Sequence, residues 1–248
     1  MPAAPETSVS LFGAILGRVG RALFTKVALE PDPIENPWEP YWGATYGPEL
    51  KGWLLRPVFE ELEKAGKIGD LIVDVGSGAE PVTRLLQTRA GRKRILVDIA
   101  ADGSRLGDEQ KIRLDVEKVG EGGACSVRKA LLRACSFLGI SPRAGVDAGR
   151  ADTIVFSDLL NYVDYRKVLR GFAEYLKRDG RMIILNFPTR GNQALFSGKG
   201  LKDNRGLYRC LEEHGFEIED KSFPCRPAGE TDEAEELIVL VARKGQEF

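Results

Sequence analysis

The sequence is poor in the residues that most often build metal centres. Its 248 residues include one histidine, His214, and four cysteines, at positions 125, 135, 210 and 225, with no C-x-x-C pair among them. A structural zinc site usually needs about four such ligands at close spacing, so no metal site is expected. Scattered cysteines in a chain of this length are typical of a reducing compartment, and we expect a cytoplasmic protein.

The sequence also lacks an excess of charge of one sign and a long hydrophobic run. Its 36 Lys and Arg residues are balanced by 37 Asp and Glu residues, which gives a formal net charge of −1. This balance disfavours nucleic acid as a partner, because nucleic-acid-binding domains usually carry a basic excess. No apolar run approaches the roughly 18 residues of a membrane-spanning helix, so membrane insertion is not expected. The start, MPAAPETSVS, is a poor secretory signal.

The pattern of apolar residues predicts one α/β domain over residues 49–248. Hydrophobic residues make up 43% of the chain, enough for a single large core. The alternation of strand-like and helix-like segments predicts a Rossmann-like, doubly wound, mostly parallel sheet of seven strands. The last two strands are joined by a polar loop, so the last strand is expected to run antiparallel. Strands are predicted at 70–75, 94–98, 111–116, 152–157, 181–187, 216–223 and 236–242, and helices at 49–66, 81–90, 126–138, 164–178 and 204–214.

The first 48 residues differ from the rest of the chain. Residues 8–29 repeat apolar side chains at helical spacing, and residues 31–48 contain five prolines and four aromatic residues. We expect residues 1–48 to form a helix and a connector that cap the active site, and the helix to be a candidate contact for a homodimer. The aromatic side chains either anchor that helix on the core or wall a substrate pocket. They are Trp38, Tyr41, Trp42 and Tyr46.

The segment VDVGSGAEP, residues 73–81, places two glycines directly after the first predicted strand. Glycine lets the backbone approach a ligand closely, and a helix N-terminus offers free N–H groups. A Walker phosphate loop would end in Lys-Ser or Lys-Thr, and the Ala79-Glu80-Pro81 ending excludes it. A dinucleotide loop would have a third glycine where Pro81 stands, and Glu80 would repel a pyrophosphate. That weakens the dinucleotide interpretation without excluding it.

The Val-Asp-x-Gly-x-Gly order of this loop resembles motif I of the class I S-adenosylmethionine-dependent methyltransferases. Residues 157–187, SDLLNYVDYRKVLRGFAEYLKRDGRMIILNF, are similar to the fourth and fifth motifs of that family. The closing helix-strand-loop-strand segment is similar to the last part of the family's fold. The resemblance covers residues 50–243. It implies that S-adenosylmethionine is the cofactor and that a methyl group is transferred to a small-molecule acceptor, at oxygen or nitrogen. The Asp/Asn-Pro-Pro-Tyr/Phe motif of members that methylate nucleic-acid amino groups is absent from residues 158–162.

Three acidic residues, one on each of the first three predicted strands, lie at the carboxyl ends of those strands. A lone Asp at a strand end is usually a turn residue, but ligands of open α/β sheets bind where the carboxyl ends of the strands meet. Asp98 can accept both ribose hydroxyls in a bidentate hydrogen bond. The resemblance implies that Asp115 meets the adenine amino group and that Asp74 helps to orient the loop and the ammonium. The expected cofactor-binding residues are Asp74, Gly76, Ser77, Gly78, Asp98, Ile99, Asp115, Val116, Ser157 and Asp158.

The sequence pattern points less clearly to the catalytic residues than to the cofactor-binding residues. Many small-molecule members of the family have a Glu-His-Val-like step after the fourth strand, where this chain has Asn161-Tyr162-Val163 and no imidazole base. Tyr162, which can orient a substrate or cover the sulfonium by a cation–π contact, and Asp158 are the catalytic candidates. Arg190 is a candidate for contact with an anionic substrate. Two alternatives stay open: an NAD-type oxidoreductase, and a regulatory partner that binds the cofactor without transferring methyl.

Overall fold

The computed structural model describes residues 48–78, 81–87, 89–99, 101, 103–117, 124–140, 150–186, 197–201, 204–220 and 238–245. The described residues all belong to one compact unit. The expected N-terminal helix and its homodimer contact, the four connector aromatics and Arg190 lie outside the described residues, so the expectations on them stay predictions. In the described part of the chain, no helix is long and apolar enough to cross a membrane.

An eight-stranded sheet forms the centre of this unit. Its strand order is β3-β4-β2-β1-β5-β6-β8-β7, and β8 runs antiparallel to both of its neighbours. The expected mostly parallel sheet with an antiparallel last strand is therefore confirmed, with one strand more than expected. The strands are β1 Leu71–Val75, β2 Lys93–Asp98, β3 Arg105–Leu106, β4 Glu109–Arg113, β5 Ala151–Ser157, β6 Leu176–Asn186, β7 Phe216–Asp220 and β8 Ile238–Lys244.

The additional strand is β3, which pairs antiparallel with β4. The side-chain amide of Gln110 on β4 supports the return of the chain, because it donates to the carbonyl oxygens of Gly103 at 3.0 Å and Ser104 at 3.3 Å. A strand of two residues is too short to give a periodic pattern, which explains why the sequence did not predict it.

Two hydrophobic cores cover the two faces of the sheet. The helices are α1 Pro48–Lys64, α2 Ala124–Phe137, α3 Tyr165–Ala173 and α4 Asn204–Glu213. Buried residues of α1 form one core with one face of the sheet, and those of α2, α3 and α4 form the other. Successive residues of β5 alternate between them: Ile154 and Phe156 belong to the second core and Val155 to the first. Since both faces are covered, the central strands are apolar at nearly every position.

Two predicted helices are wrong in extent. The helix expected at 81–90 is a four-residue 3-10 helix, Val82–Leu85, after which Leu86 is extended. Arg92 holds the following turn, because its guanidinium donates to the Gln87 carbonyl oxygen at 2.9 Å and pairs with Glu63 at 2.5 Å. The helix expected at 164–178 ends at Ala173, and β6 already begins at Leu176, where the backbone gains sheet partners on β5.

We predict that Asp152→Ala lowers the free energy of unfolding by about 1–3 kcal/mol, because the Asp152 carboxylate at the amino edge of the sheet has three partners on two other segments. It accepts from the N–H groups of Leu71 at 2.8 Å and Asp70 at 3.2 Å and pairs with Lys177 at 2.6 Å. Denaturant unfolding measures the effect. Asp70→Ala is the control, since it removes only an exposed pair with Arg89 at 3.8 Å and should cost less than about 0.5 kcal/mol. Equal losses would contradict the prediction.

Candidate functional site

The structure brings the predicted acids to one edge of the sheet. Asp74 is the penultimate residue of β1, Asp98 ends β2, Asp115 comes shortly after β4, and Asp158 directly follows β5. These strands are neighbours in the order β4-β2-β1-β5, and all four run parallel. The chain builds outward from β1 through β2 to β4 and then returns to add β5 on the other side. The edge above β1 and β5 is therefore the switch point at which open α/β sheets bind ligands.

The two loop glycines have different surroundings. Both have left-handed backbone, with φ of +72° at Gly76 and +60° at Gly78. The N–H of Gly76 donates to the Val97 carbonyl oxygen at 2.8 Å, and a Cβ at this position would lie 3.1 Å from Leu159. A Cβ at Gly78 would meet no atom within 4 Å. Gly76 thus closes against the loop after β5, whereas Gly78 leaves open space beside the backbone, which a ligand can occupy.

The Asp98 carboxylate holds the open end of the loop. Its Oδ2 accepts from the N–H of Gly78 at 2.9 Å, and only 9% of the residue is exposed. The Asp98 carbonyl oxygen accepts from the N–H of Leu114 at 3.0 Å, which ties the end of β2 to the chain beyond β4. A carboxylate offers about four lone-pair sites, so Asp98 can hold Gly78 and still accept from a diol.

Asp74 supports the loop from beneath. It is fully buried, and its Oδ2 accepts from the Thr83 hydroxyl at 2.8 Å and the Thr83 N–H at 3.2 Å. The carboxylate therefore fixes the first turn of the 3-10 helix relative to β1. Thr83 was not among the residues predicted from the sequence. The one feature of the sequence that could have indicated Thr83 is its position near the expected start of the helix. Side-chain hydroxyl groups at helix starts often form hydrogen bonds that hold the first turn.

Four further expected cofactor-binding residues lie at or just after the carboxyl ends of β2, β4 and β5. Asp115 makes a local turn, in which its Oδ1 accepts from the N–H of Glu117 at 3.0 Å. Val116 is buried in the core that contains α2. Ile99 is half-buried directly after Asp98, and Ser157 is buried where β5 pairs with Leu185 of β6.

The loop after β5 carries both catalytic candidates. Asp158 has a left-handed backbone, with φ of +49°, and its N–H donates to the Leu185 carbonyl oxygen at 2.7 Å. Tyr162 is half-buried and packs against the core that contains α3. Two buried amides, whose pairing was not predicted from the sequence, fasten this loop to β6: Asn186 Nδ2 donates to Asn161 Oδ1 at 2.9 Å. The Asn161 carbonyl oxygen also accepts from Ser197 at 3.0 Å.

A cavity of about 410 Å³ opens at the start of α3, shortly after Asp158 in the chain. Lys199 on its wall forms an ion pair with Asp164 at 3.4 Å. The cavity is lined by Asp164, Tyr165, Arg166, Gly198, Lys199, Gly200 and Gly206.

The single histidine and the two cysteines that the structure describes make contacts typical of structural residues. His214 Nε2 accepts from Arg170 Nε at 3.1 Å, and its Nδ1 lies 2.7 Å from the Cys210 carbonyl oxygen, which fits a neutral ring with the proton on Nδ1. Burial raises the pKa of the Cys135 thiol to about 11 and raises that of Cys210 as well. The two thiols are therefore poor nucleophiles at neutral pH.

No protein-family model and no curated protein sequence matches this chain. Solved structures do match its fold. The carbon methyltransferase CurJ aligns with a TM-score of 0.51 and 16% identity, over 79% of this chain and 54% of its own. An O-methyltransferase family protein from Burkholderia thailandensis aligns with a TM-score of 0.51 and 12% identity, over 81% of this chain and 59% of its own.

A candidate S-adenosylmethionine-dependent methyltransferase from Streptococcus mutans aligns with a TM-score of 0.50 and 14% identity, over 76% of this chain and 48% of its own. The chain thus spans about half the length of each of these three proteins. Similarity at this level of identity establishes the architecture. The chain has the Rossmann-like fold of these solved methyltransferases.

Proposed function

We propose that the protein is an S-adenosylmethionine-dependent methyltransferase that acts on a small molecule in the cytoplasm. The observation that carries the proposal is the pairing of Gly78 with Asp98 at the switch point. Gly78 offers bare backbone with open space beside it, and the carboxylate that binds its N–H ends the neighbouring strand. A nucleoside needs both elements, one for close approach and one to accept from its ribose hydroxyls.

The charges at this edge fit a sulfonium nucleoside better than a dinucleotide. Asp74, Asp98, Asp115 and Asp158 lie at the ends of four adjacent strands. The carboxylates of Asp98, Asp115 and Asp158 attract a ligand with a sulfonium and an ammonium, and they repel a pyrophosphate. In the proposed complex, Asp98 accepts from the ribose, Asp115 lies on the adenine side and Asp158 on the methionine side. Asp74 positions the glycine loop through Thr83.

The bound cofactor supplies a methyl group already activated on sulfur. The remaining task of the protein is to hold the acceptor in line and to exclude water, and positioning alone can contribute about 7–11 kcal/mol to lowering the barrier. Leu159, packed at Gly76, and Tyr162 in the same loop are placed to exclude water. Where the acceptor must lose a proton, Asp158 is the proposed base and Tyr162 the proposed orienting group.

The cavity beside α3 supports a small acceptor. Its volume of about 410 Å³ falls in the range of sites that take small molecules. We propose oxygen or nitrogen as the methylated atom. In this proposal the aromatic side chains of the connector cover the acceptor, and Arg190 contacts an anionic group on it. These aromatics are Trp38, Tyr41, Trp42 and Tyr46.

The step Asn161-Tyr162-Val163, with no histidine, supports a second candidate function: binding of the cofactor without transfer, as a regulatory protein.

Ligand titration separates methyl-donor binding from NAD binding. We expect S-adenosylhomocysteine to raise the melting temperature, with a stabilisation of about 2.7 kcal/mol at a hundredfold excess over Kd, and NADH to have no effect. Stabilisation by NADH alone would favour the oxidoreductase. Incubation with labelled S-adenosylmethionine and a metabolite library then tests transfer, and tight binding without any transfer would favour the regulatory function.

Gly78→Ala tests whether the open space at this glycine receives the ligand. We expect the affinity for S-adenosylhomocysteine to fall at least tenfold, or about 1.4 kcal/mol, by calorimetric titration. Gly66→Ala is the matched control, because Gly66 has φ of +65° and an added Cβ there also meets no atom within 4 Å. Both variants should lose about 1–2 kcal/mol of stability from the left-handed backbone. Equal affinities in the two variants would contradict the assignment.

Substitutions at Asp98 separate its two contacts. Asp98→Asn keeps an oxygen that can accept from the Gly78 N–H, so we expect unfolding stability within about 0.5 kcal/mol of the wild type. It should still weaken S-adenosylhomocysteine binding by about 1.5–3 kcal/mol, because a charged acceptor is lost. Asp98→Ala removes both contacts and should lower stability as well. Unchanged affinity in both variants would show that the ribose contact is misassigned.

A further inference from the structure

The cavity at the start of α3 is walled by bare backbone and by two cationic side chains. Three of the seven described residues that line it are glycines, and a Cβ at one of them, Gly198, would meet no atom within 4 Å. The cations are Arg166 on α3 and Lys199, and the acid among these lining residues is Asp164. Open backbone beside Arg and Lys side chains is the surrounding in which proteins bind phosphates and carboxylates.

The turn that carries Lys199 is fixed on the loop after β5. The N–H of Ser197 donates to the Asn161 carbonyl oxygen at 3.0 Å. A Cβ at Gly200 would collide with the same carbonyl oxygen, so only glycine lets the turn lie this close to the loop. That loop also carries both catalytic candidates. The backbone of Lys199 is therefore held at a fixed place relative to them.

The start of α3 adds positive potential to the same cavity. The first N–H groups of a helix have no carbonyl partner within the helix, and they lie at the positive end of its dipole. In α3 the Asp164 side chain accepts from one of them, the N–H of Lys167, at 3.4 Å. The Arg166 guanidinium lies 5.5 Å from the centre of the buried Tyr165 ring, which favours its place at the wall. The start of α4 reaches the cavity as well, through Gly206.

The ion pairs of the two cations leave them able to bind a further anion. Lys199 lies 3.4 Å from Asp164, and 78% of its side chain is exposed. Arg166 lies 3.8 Å from Glu213, and about half of each side chain is exposed. Pairs between exposed side chains contribute little to stability, so a ligand can compete with them. An ammonium has three donors and a guanidinium five, more than one carboxylate uses.

We propose that this cavity binds an anionic group of the methyl acceptor, a carboxylate or a phosphate, between Arg166 and Lys199. The inference rests on the proposed function, because it assigns the acceptor side of that site. A planar guanidinium can hold either anion in a bidentate manner, and the ammonium adds a compact charge. Since the lysine turn is anchored on the loop after β5, an anion bound here sets the place of the rest of the acceptor relative to that loop.

Small anions test the charge requirement without knowledge of the acceptor. Benzoate and inorganic phosphate are titrated at constant ionic strength into the protein, with and without S-adenosylhomocysteine, and binding is followed by NMR of the backbone amides. We expect the amide shifts to centre on Arg166 and Lys199. Benzamide, the neutral counterpart of benzoate, should bind about tenfold more weakly or not at all, because it lacks the charge.

Two variants remove one cation each and keep the length of the side chain nearly constant. Arg166→Gln and Lys199→Gln should each raise the Kd for benzoate and phosphate about tenfold. Both side chains are largely exposed, so the variants should fold as the wild type does. Lys167→Gln is the matched control, since it makes the same change of charge in the first turn of α3 at a described residue outside the cavity lining. It should bind both anions within about twofold of the wild type.

The outcomes separate this inference from the proposed function. A wild type that binds neither anion, equal binding of benzoate and benzamide, or equal Kd values in the wild type and the two cavity variants would overturn the inference. A loss in Lys167→Gln as large as in the cavity variants would overturn it too. None of these results would affect the cofactor site, and all variants should bind S-adenosylhomocysteine within about twofold of the wild type. A wild type that does not bind S-adenosylhomocysteine would contradict the proposed function, whatever the anions show.

Discussion

The hydrogen bond from the Gly78 N–H to the Asp98 carboxylate is the contact on which the candidate site depends. It joins the glycine loop after β1 to the end of β2, and it fixes the place where the backbone is open to a ligand. The same carboxylate is the one that the ribose would need. In the proposed complex, loop geometry and ligand recognition are therefore coupled through a single residue.

The rest of the fold supports this contact by making the carboxyl edge rigid. Cores on both faces bury the central strands, so the strand ends have little freedom to move apart. Two buried polar contacts lie next to it: Asp74 accepts from Thr83 beneath the loop, and Asn186 donates to Asn161 beside it. Such contacts specify one geometry, because leaving a buried polar group unpaired costs about 1–3 kcal/mol.

The sequence predicted the architecture well because the central strands carry strong periodic signals. Val73 and Val75 face one core and Ile72 the other, and the same alternation runs through β5. The two-residue strand β3 and the shortened helix at 81–90 were missed, since Gln110 and Arg92 fix those segments through long-range side-chain contacts that periodicity does not report. The positions of Asp98 and Gly78 in the chain predicted that they lie close together. Their direct hydrogen bond and the left-handed backbone at Asp158 could be identified only from the structure.

The central claim is that a sulfonium nucleoside binds across the ends of β1, β2 and β5. The most direct measurement is a crystal structure of the protein soaked with S-adenosylhomocysteine. The account predicts density for the ligand beside the Gly78 backbone, with its ribose hydroxyls within hydrogen-bond distance of Asp98. A ligand found elsewhere on the protein, or a pyrophosphate compound occupying this edge instead, would contradict it.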